Sequence, residues 1–385
     1  MSDQYAEREQ RVTPLELFFD LVFVFAFTQV TTVLWDDPTW GGLGHGLLIL
    51  ATLWWAWAAY AWLTNTVDPT GGEVWGAILV AMAAMFVAAL AVPDAFSSHG
   101  VVFGVAFLIV NLMWLTLYSL GARGDRDLLG AILRSAPWSL AGAALIIVAG
   151  FLHGASRPLL WLAALVVGFL GPTLAGVSGW RVQPAHFVER HGLIVIIAIG
   201  ESLIAIGLGA RSSGVATGVI VAAVLGFVVV TSFWLAYFDF FAIRGEHTLL
   251  NREGAERVAL ARDLYVYAHL PMIVGIVLFA FAMKTVIGHV GDELDSVAAF
   301  ALCGGSALYL LTYSAIRSRV EGRLRLSRGR FLAALVLLLV LPLATVIPAL
   351  AALALVTAVW LALHIYELVW WREPRAESRS LLTSS

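Results

Sequence analysis

Long apolar runs separated by short polar connections dominate this chain. They fall at Pro14–Trp35, Leu43–Thr64, Val74–Ala91, Val101–Leu120, Leu128–Leu152, Leu159–Leu174, Pro184–Gly209, Val215–Phe241, Leu264–Ile287, Val297–Ile316, Phe331–Pro348 and Ala351–Trp371. A helix that crosses the hydrocarbon core of a bilayer uses about 20 mostly apolar residues. The pattern therefore predicts an all-α polytopic membrane protein with about 12 transmembrane helices. Arg134 and Pro137 interrupt the fifth window. Only a short run around Pro348 separates the last two, so a single broken helix is the alternative there.

Composition supports the pattern. Of 385 residues, 61% are hydrophobic and 13% charged, against roughly 25% charged in an ordinary soluble domain. No polar stretch approaches the roughly 100–150 residues of a soluble catalytic domain. A net charge of −3 gives no basic field for nucleic acid, which is excluded as a partner. The single cysteine, Cys303, rules out an intramolecular disulfide and a cysteine-cluster metal site. Met1–Gln10 is polar and lacks a small-residue cleavage site, so the first helix is expected to be a retained anchor.

Charge asymmetry predicts sidedness, because Lys and Arg collect in cytoplasmic loops. With the N-terminus inside, twenty of the 23 Lys and Arg fall on inward segments, and only Arg157, Arg211 and Lys284 fall outside. Both termini are thus expected in the cytoplasm. Arg11-Val12-Thr13-Pro14 opens the first span and Arg181-Val182-Gln183-Pro184 the seventh. Trp57-Ala58-Ala59-Tyr60 in the second is echoed by Trp234-Leu235-Ala236-Tyr237 in the eighth. The echo predicts two six-helix halves of the same orientation, residues 1–179 and 180–385, related by an axis along the membrane normal.

Charged and polar groups inside spans are costly, so each needs a partner or a purpose. On the first helix Glu16, Asp20, Phe27 and Thr31 form one stripe at 100° per residue, with Thr28 and Gln29 beside it. Thr13-Pro14-Leu15-Glu16 reads as an N-cap, a proline at the first helical position and a capping-box acid. Asp20 must lie inside the membrane, because Leu21–Leu34 is too short to span alone. The seventh helix carries His186, Glu189, Arg190 and His191 at its expected cytoplasmic rim and Glu201-Ser202 near its midplane. Arg190, Ile194, Ile197 and Glu201 share a stripe. Glu201 is read either as an acid bonded to a neighbouring helix or as an ion or proton site.

Other positions carry plainer readings. Asp239 ends the eighth helix with Arg244 as a partner within reach. His269, two residues before Pro271, is a kink-associated contact or a gate. Tyr60, Asn65, Asn111 and Tyr237 suit interhelical hydrogen bonds, and Trp57 and Trp234 suit packing and interface anchoring. Soluble-enzyme motifs are missing: there is no phosphate loop, no H-E-x-x-H and no G-x-S-x-G. His186-x-x-Glu189-x-His191 lacks the two-histidine spacing that aims both rings at one ion. No catalytic residue, metal site or cofactor is expected.

The run Arg11-Val12-Thr13-Pro14-Leu15-Glu16-Leu17-Phe18-Phe19-Asp20-Leu21-Val22-Phe23-Val24, the run His186–Leu193 and Gly200-Glu201-Ser202 resemble signatures of the bacterial low temperature requirement protein A (LtrA) family. The resemblance extends to the Asn65 helix and to Trp234-x-x-Tyr237-x-Asp239. It implies a multi-pass protein of the bacterial inner membrane, linked by name to growth in the cold, and implies no particular activity. Glu16-x-Phe18-x-Asp20-x-Val22-Phe23-x-x-Ala26-x-Thr28 is also similar to the first-helix F-S-D segment of endosomal and lysosomal potassium channels and their bacterial six-helix relatives, with Phe19 in the serine position.

Two function classes follow. The leading one is a channel or carrier for a small ion or polar solute, not an enzyme. Its passage would lie between helices one and seven, lined by Asp20, Glu201, Glu189 and Arg190. The rival is a non-transporting membrane protein for cold or stress adaptation, structural or lipid- or partner-binding, in which the buried charges merely pair. The partners to consider are the lipid bilayer, a small ion or polar solute, and a second copy of the chain in a homodimer.

Overall fold

The computed structural model describes residues 12–67, 72–214, 216–321 and 328–370. Arg8, Arg11, Arg323, Arg325, Arg372, Arg375 and Arg379, which entered the sidedness argument, lie outside them. The described residues form helices joined by short turns: α1 (Pro14–Asp36), α2 (Trp40–Thr66), α3 (Gly72–Ala91), α4 (Gly100–Gly121), α5 (Arg126–Phe151), α6 (Ser156–Ala175), α7 (Pro184–Ser213), α8 (Thr217–Ala236), α9 (Ala242–Leu250), α10 (Gly254–Ala261), α11 (His269–Gly288), α12 (Ser296–Ala299), α13 (Gly305–Glu321), α14 (Arg328–Ala344) and α15 (Ala349–Trp370). Local chemistry sets several starts. Proline occupies the first position of α1 and α7, where its missing N–H costs nothing. The Asp125 carboxylate accepts from Leu128 N at the head of α5.

Eleven spans among the described residues are long and apolar enough to cross a membrane. Three of them contain two α-helices each. π-helical turns at Tyr237–Phe241, Arg262–Tyr267 and Phe300–Gly304 join α8 to α9, α10 to α11 and α12 to α13. The predicted window Phe331–Pro348 holds α14, which has 17 residues and so a length of about 26 Å. It contains Pro342 and is followed by a turn at Thr345–Pro348, after which α15 packs back on it as a separate helix. Large apolar side chains such as Leu133, Phe151, Leu159 and Leu174 are exposed, as expected of surfaces that meet lipid. The chain is a multi-pass helical membrane protein.

Packing divides the chain into two compact units, each assembled from separate stretches. The first comprises the described residues of Met1–Ala26, Ala51–Ile194 and Leu249–Arg262; the second those of Phe27–Leu50, Val195–Thr248 and Asp263–Ser385. In the first unit α3, α4, α5 and α6 pack in succession. In lipid there is no hydrophobic force between helices, so close backbone approach and interhelical hydrogen bonds hold them. Gly150 shows this: a Cβ there would lie 2.6 Å from Val101 N of α4. In the second unit α11 is buried on nearly every face and meets α13 and α8. A Cβ on Gly275 of α11 would lie 2.6 Å from the carbonyl oxygen of Gly305 on α13. Phe233, Phe279, Tyr309 and Trp360 interlock in the same core.

Candidate functional site

The first unit holds a buried cluster of charges. At the head of α1 the Thr13 N–H and hydroxyl both donate to Glu16 Oε2, at 2.8 and 2.9 Å, and Glu16 N donates back to Thr13 Oγ1 at 3.4 Å. This capping box leaves Glu16 facing α7, where His186 Nε2 lies 3.1 Å from Oε1 and 3.3 Å from Oε2. One turn later Asp20 Oδ1 accepts from Arg190 Nη2 at 3.0 Å and from the Trp57 indole of α2 at 2.9 Å. Arg190 Nε is 3.9 Å from Glu16 Oε1, and its guanidinium carbon lies 5.8 Å from the Trp57 ring centroid. The side chains of Glu16, Asp20, His186 and Arg190 are at most 2% exposed. They meet because Glu16 with Asp20 and His186 with Arg190 are i, i+4 pairs, each on one face of its helix.

Asn65 locks the cluster from the end of α2. Gln183 N donates to Asn65 Oδ1 at 2.8 Å, and Asn65 Nδ2 donates to the Gln183 carbonyl at 2.9 Å. The same Nδ2 faces His186 Nδ1 at 3.1 Å. His191, one turn after Phe187, places its Nδ1 2.8 Å from the Phe187 carbonyl and meets the Trp57 ring edge-on at 4.9 Å. Glu189 faces the other way: it is exposed and accepts from Val12 N at 3.3 Å. It therefore does not share the buried face with Arg190. Tyr60 bonds the Val110 carbonyl at 2.9 Å.

The second unit holds a different kind of acid. Glu201 of α7, 2% exposed, receives one threonine hydroxyl on each oxygen: Thr28 donates to Oε2 at 2.5 Å and Thr31 to Oε1 at 2.6 Å. Both threonines are on α1, three residues apart on one face. No Lys, Arg or His forms an ion pair with Glu201 among the described residues. Lys284 of α11 is the cation within electrostatic reach, and its ammonium sits over the Trp35 ring at 4.6 Å. Ser202 is fully buried beside Glu201 in sequence, while Gln29 is half-buried outside this pair of bonds.

The remaining expected positions are elsewhere in the second unit. Tyr237 and His269 meet directly, hydroxyl to Nε2 at 2.9 Å, while His269 Nδ1 lies 2.8 Å from the Leu264 carbonyl in the π-helical turn before α11. The histidine is fully buried and Tyr265 stacks on it at 4.9 Å. Asp239 is half-buried in the neighbouring π-helical turn, and Trp234 is 45% exposed.

Sequence reasoning passed over two features. Arg330 of α14 makes a two-pronged bond to Glu367 of α15, 2.6 and 3.2 Å, with Tyr313 stacked under the guanidinium at 3.6 Å. Its signal was an opposite charge in each of the last two spans. Lys284, counted among the outward cations, is also in the electrostatic surroundings of Glu201; a lone lysine within an apolar run was the available signal.

Comparison with known proteins bears on the whole chain. It is 30% identical over 308 residues to the uncharacterized protein RA0937 of Rhizobium meliloti (strain 1021), covering 77% of this chain and 74% of that one. No solved structure matches. The family model of the bacterial low temperature requirement A protein matches residues 11–365, which takes in the surroundings of Asp20, Glu201 and His269, and the chain belongs to that family.

Proposed function

We propose that this LtrA-family protein moves a small ion or polar solute across the bacterial inner membrane, with Glu201 as the group that a passing proton or monovalent cation engages. The observation that supports the reading is the coordination of Glu201: two threonine hydroxyls and, among the described residues, no ion-paired cation. A hydroxyl can rotate to accept as readily as it donates. The same three side chains therefore suit a protonated acid, a carboxylate, or a carboxylate with a bare monovalent cation. In this reading both termini are cytoplasmic, as the arginine distribution suggests, and the chemistry is passage rather than catalysis. Purified protein in liposomes tests it, with proton, sodium and potassium gradients imposed in turn. Flux in the wild type and its loss in Glu201→Gln are expected. No flux with any gradient refutes the proposal.

One observation favours a second reading. Glu16 with His186, Asp20 with Arg190 and Glu367 with Arg330 are closed, buried contacts, as a non-transporting membrane scaffold for cold or stress adaptation would need. On that reading Asp20→Asn lowers the amount of folded protein in the membrane, and Glu201→Gln changes nothing measurable.

A further inference from the structure

The cluster in the first unit has a charge that its side chains do not balance. Asn65 decides the count. Its amide is oriented by two opposite bonds to Gln183, so the atom facing His186 Nδ1 is a nitrogen that donates. His186 Nδ1 must therefore accept, its proton is on Nε2 facing Glu16, and the ring is neutral. Among the described residues that leaves Glu16 and Asp20 against Arg190 alone. An uncompensated charge on side chains this deeply buried is the costliest state open to them, and taking up a proton removes it.

We infer that the cluster is a proton-binding site and that the proton resides on Asp20 Oδ2. The two acids are unequally served. Glu16 Oε2 takes three donors, the Thr13 N–H, the Thr13 hydroxyl and the His186 Nε2–H; its Oε1, without a hydrogen bond, still lies 3.1 Å from His186 Nε2 and 3.9 Å from Arg190 Nε, at the first turn of α1 where the helix dipole also favours negative charge. Asp20 has both its donors, Arg190 Nη2 and the Trp57 indole, on Oδ1, while Oδ2 is buried with no hydrogen-bond partner. Arg190 Nε and Nη1 are likewise without hydrogen-bond partners. With the proton on Asp20, Arg190 is the counter-ion of Glu16; without it, Arg190 is shared between two carboxylates. Among the described residues His191, edge-on to Trp57, is the other titratable group at this cluster. The site stands on the first unit alone and does not depend on passage at Glu201.

Infrared spectroscopy of the full-length protein in detergent or lipid tests this. Asp20 is the only buried aspartate among the described residues, so labelling all aspartates with carboxyl-13C identifies it without a mutation. At neutral pH the wild type should show the carbonyl stretch of a protonated carboxylic acid that moves on aspartate labelling and disappears as the pH is raised. Asp20→Asn should delete that band and Glu201→Gln should keep it. The inference is overturned if aspartate labelling moves no protonated-acid band at neutral pH. It is also overturned if nitrogen NMR finds His186 or His191 doubly protonated there, or if sodium or potassium at fixed pH abolishes the band. The labelling arm decides even if Asp20→Asn does not fold.

Discussion

Glu201 and Asp20 both carry carboxyl groups buried to 2% exposure in spanning helices, yet their surroundings differ in kind. Asp20 is held by a guanidinium and an indole within a knot of two acids, an arginine and a histidine. Glu201 is held by two alcohols. A guanidinium has five donors, no acceptor and a permanent charge, so its partner is fixed in place and removing either one strands the other. Alcohols carry no charge and can reverse their bonds. The difference teaches that the charge of what solvates a buried acid, more than its depth, decides whether it is tied into a fixed network of charges or left open to a passing ion.

Arg190→Met should produce the largest effect. It leaves the Glu16 charge buried without its counter-ion and takes a donor from Asp20, a loss of about 3–5 kcal/mol. Folded yield from membranes and the thermal midpoint in detergent should both collapse. If the variant folds like the wild type, the claim that the charged knot fastens α1 to α7 is broken. Asn65→Ala comes next. It strips the Gln183 N–H and the His186 ring of their partners, at about 1–3 kcal/mol for the buried polar groups left unpaired, and chemical denaturation monitored by tryptophan fluorescence would register it. Thr31→Val removes one of the two hydroxyls on Glu201, and the net loss should be about 1 kcal/mol. A Thr31→Val cost equal to that of Arg190→Met would erase the contrast between the two acids.

The spans, and the acids that interrupt them, stand out in the sequence because apolar runs of helical length and isolated charges within them are local signals. Thr13 and Glu16 were legible as a capping box for the same reason. What was not legible is who meets whom. Asp20 and Arg190 lie 170 residues apart, as do Glu16 and His186, and Asn65 reaches 118 residues to Gln183. Nothing local couples such positions. Glu189 shows the limit on a shorter scale: next to Arg190 in sequence, it turns about 100° away on the helix and is exposed. The three π-helical turns were also hidden, since an extra residue in a helical turn leaves no compositional mark. The short eleventh window reads as a span by hydropathy, and only the turn at Thr345–Pro348 reveals that α14 stops at 17 residues.

Glu201→Gln is the smallest perturbation of all. The amide keeps a carbonyl for one threonine, and its NH2 can donate to the other hydroxyl. The expected change in stability is below about 0.5 kcal/mol, within the range of substitutions that preserve packing and polar partners. That makes it the most direct test of the contrast. Wild type and Glu201→Gln, reconstituted at equal density in liposomes, are compared for cation and proton flux under an imposed gradient. The account predicts flux in the wild type and none above empty liposomes in the variant, with equal thermal midpoints for the two proteins. Equal flux in both, or none in either, would contradict it.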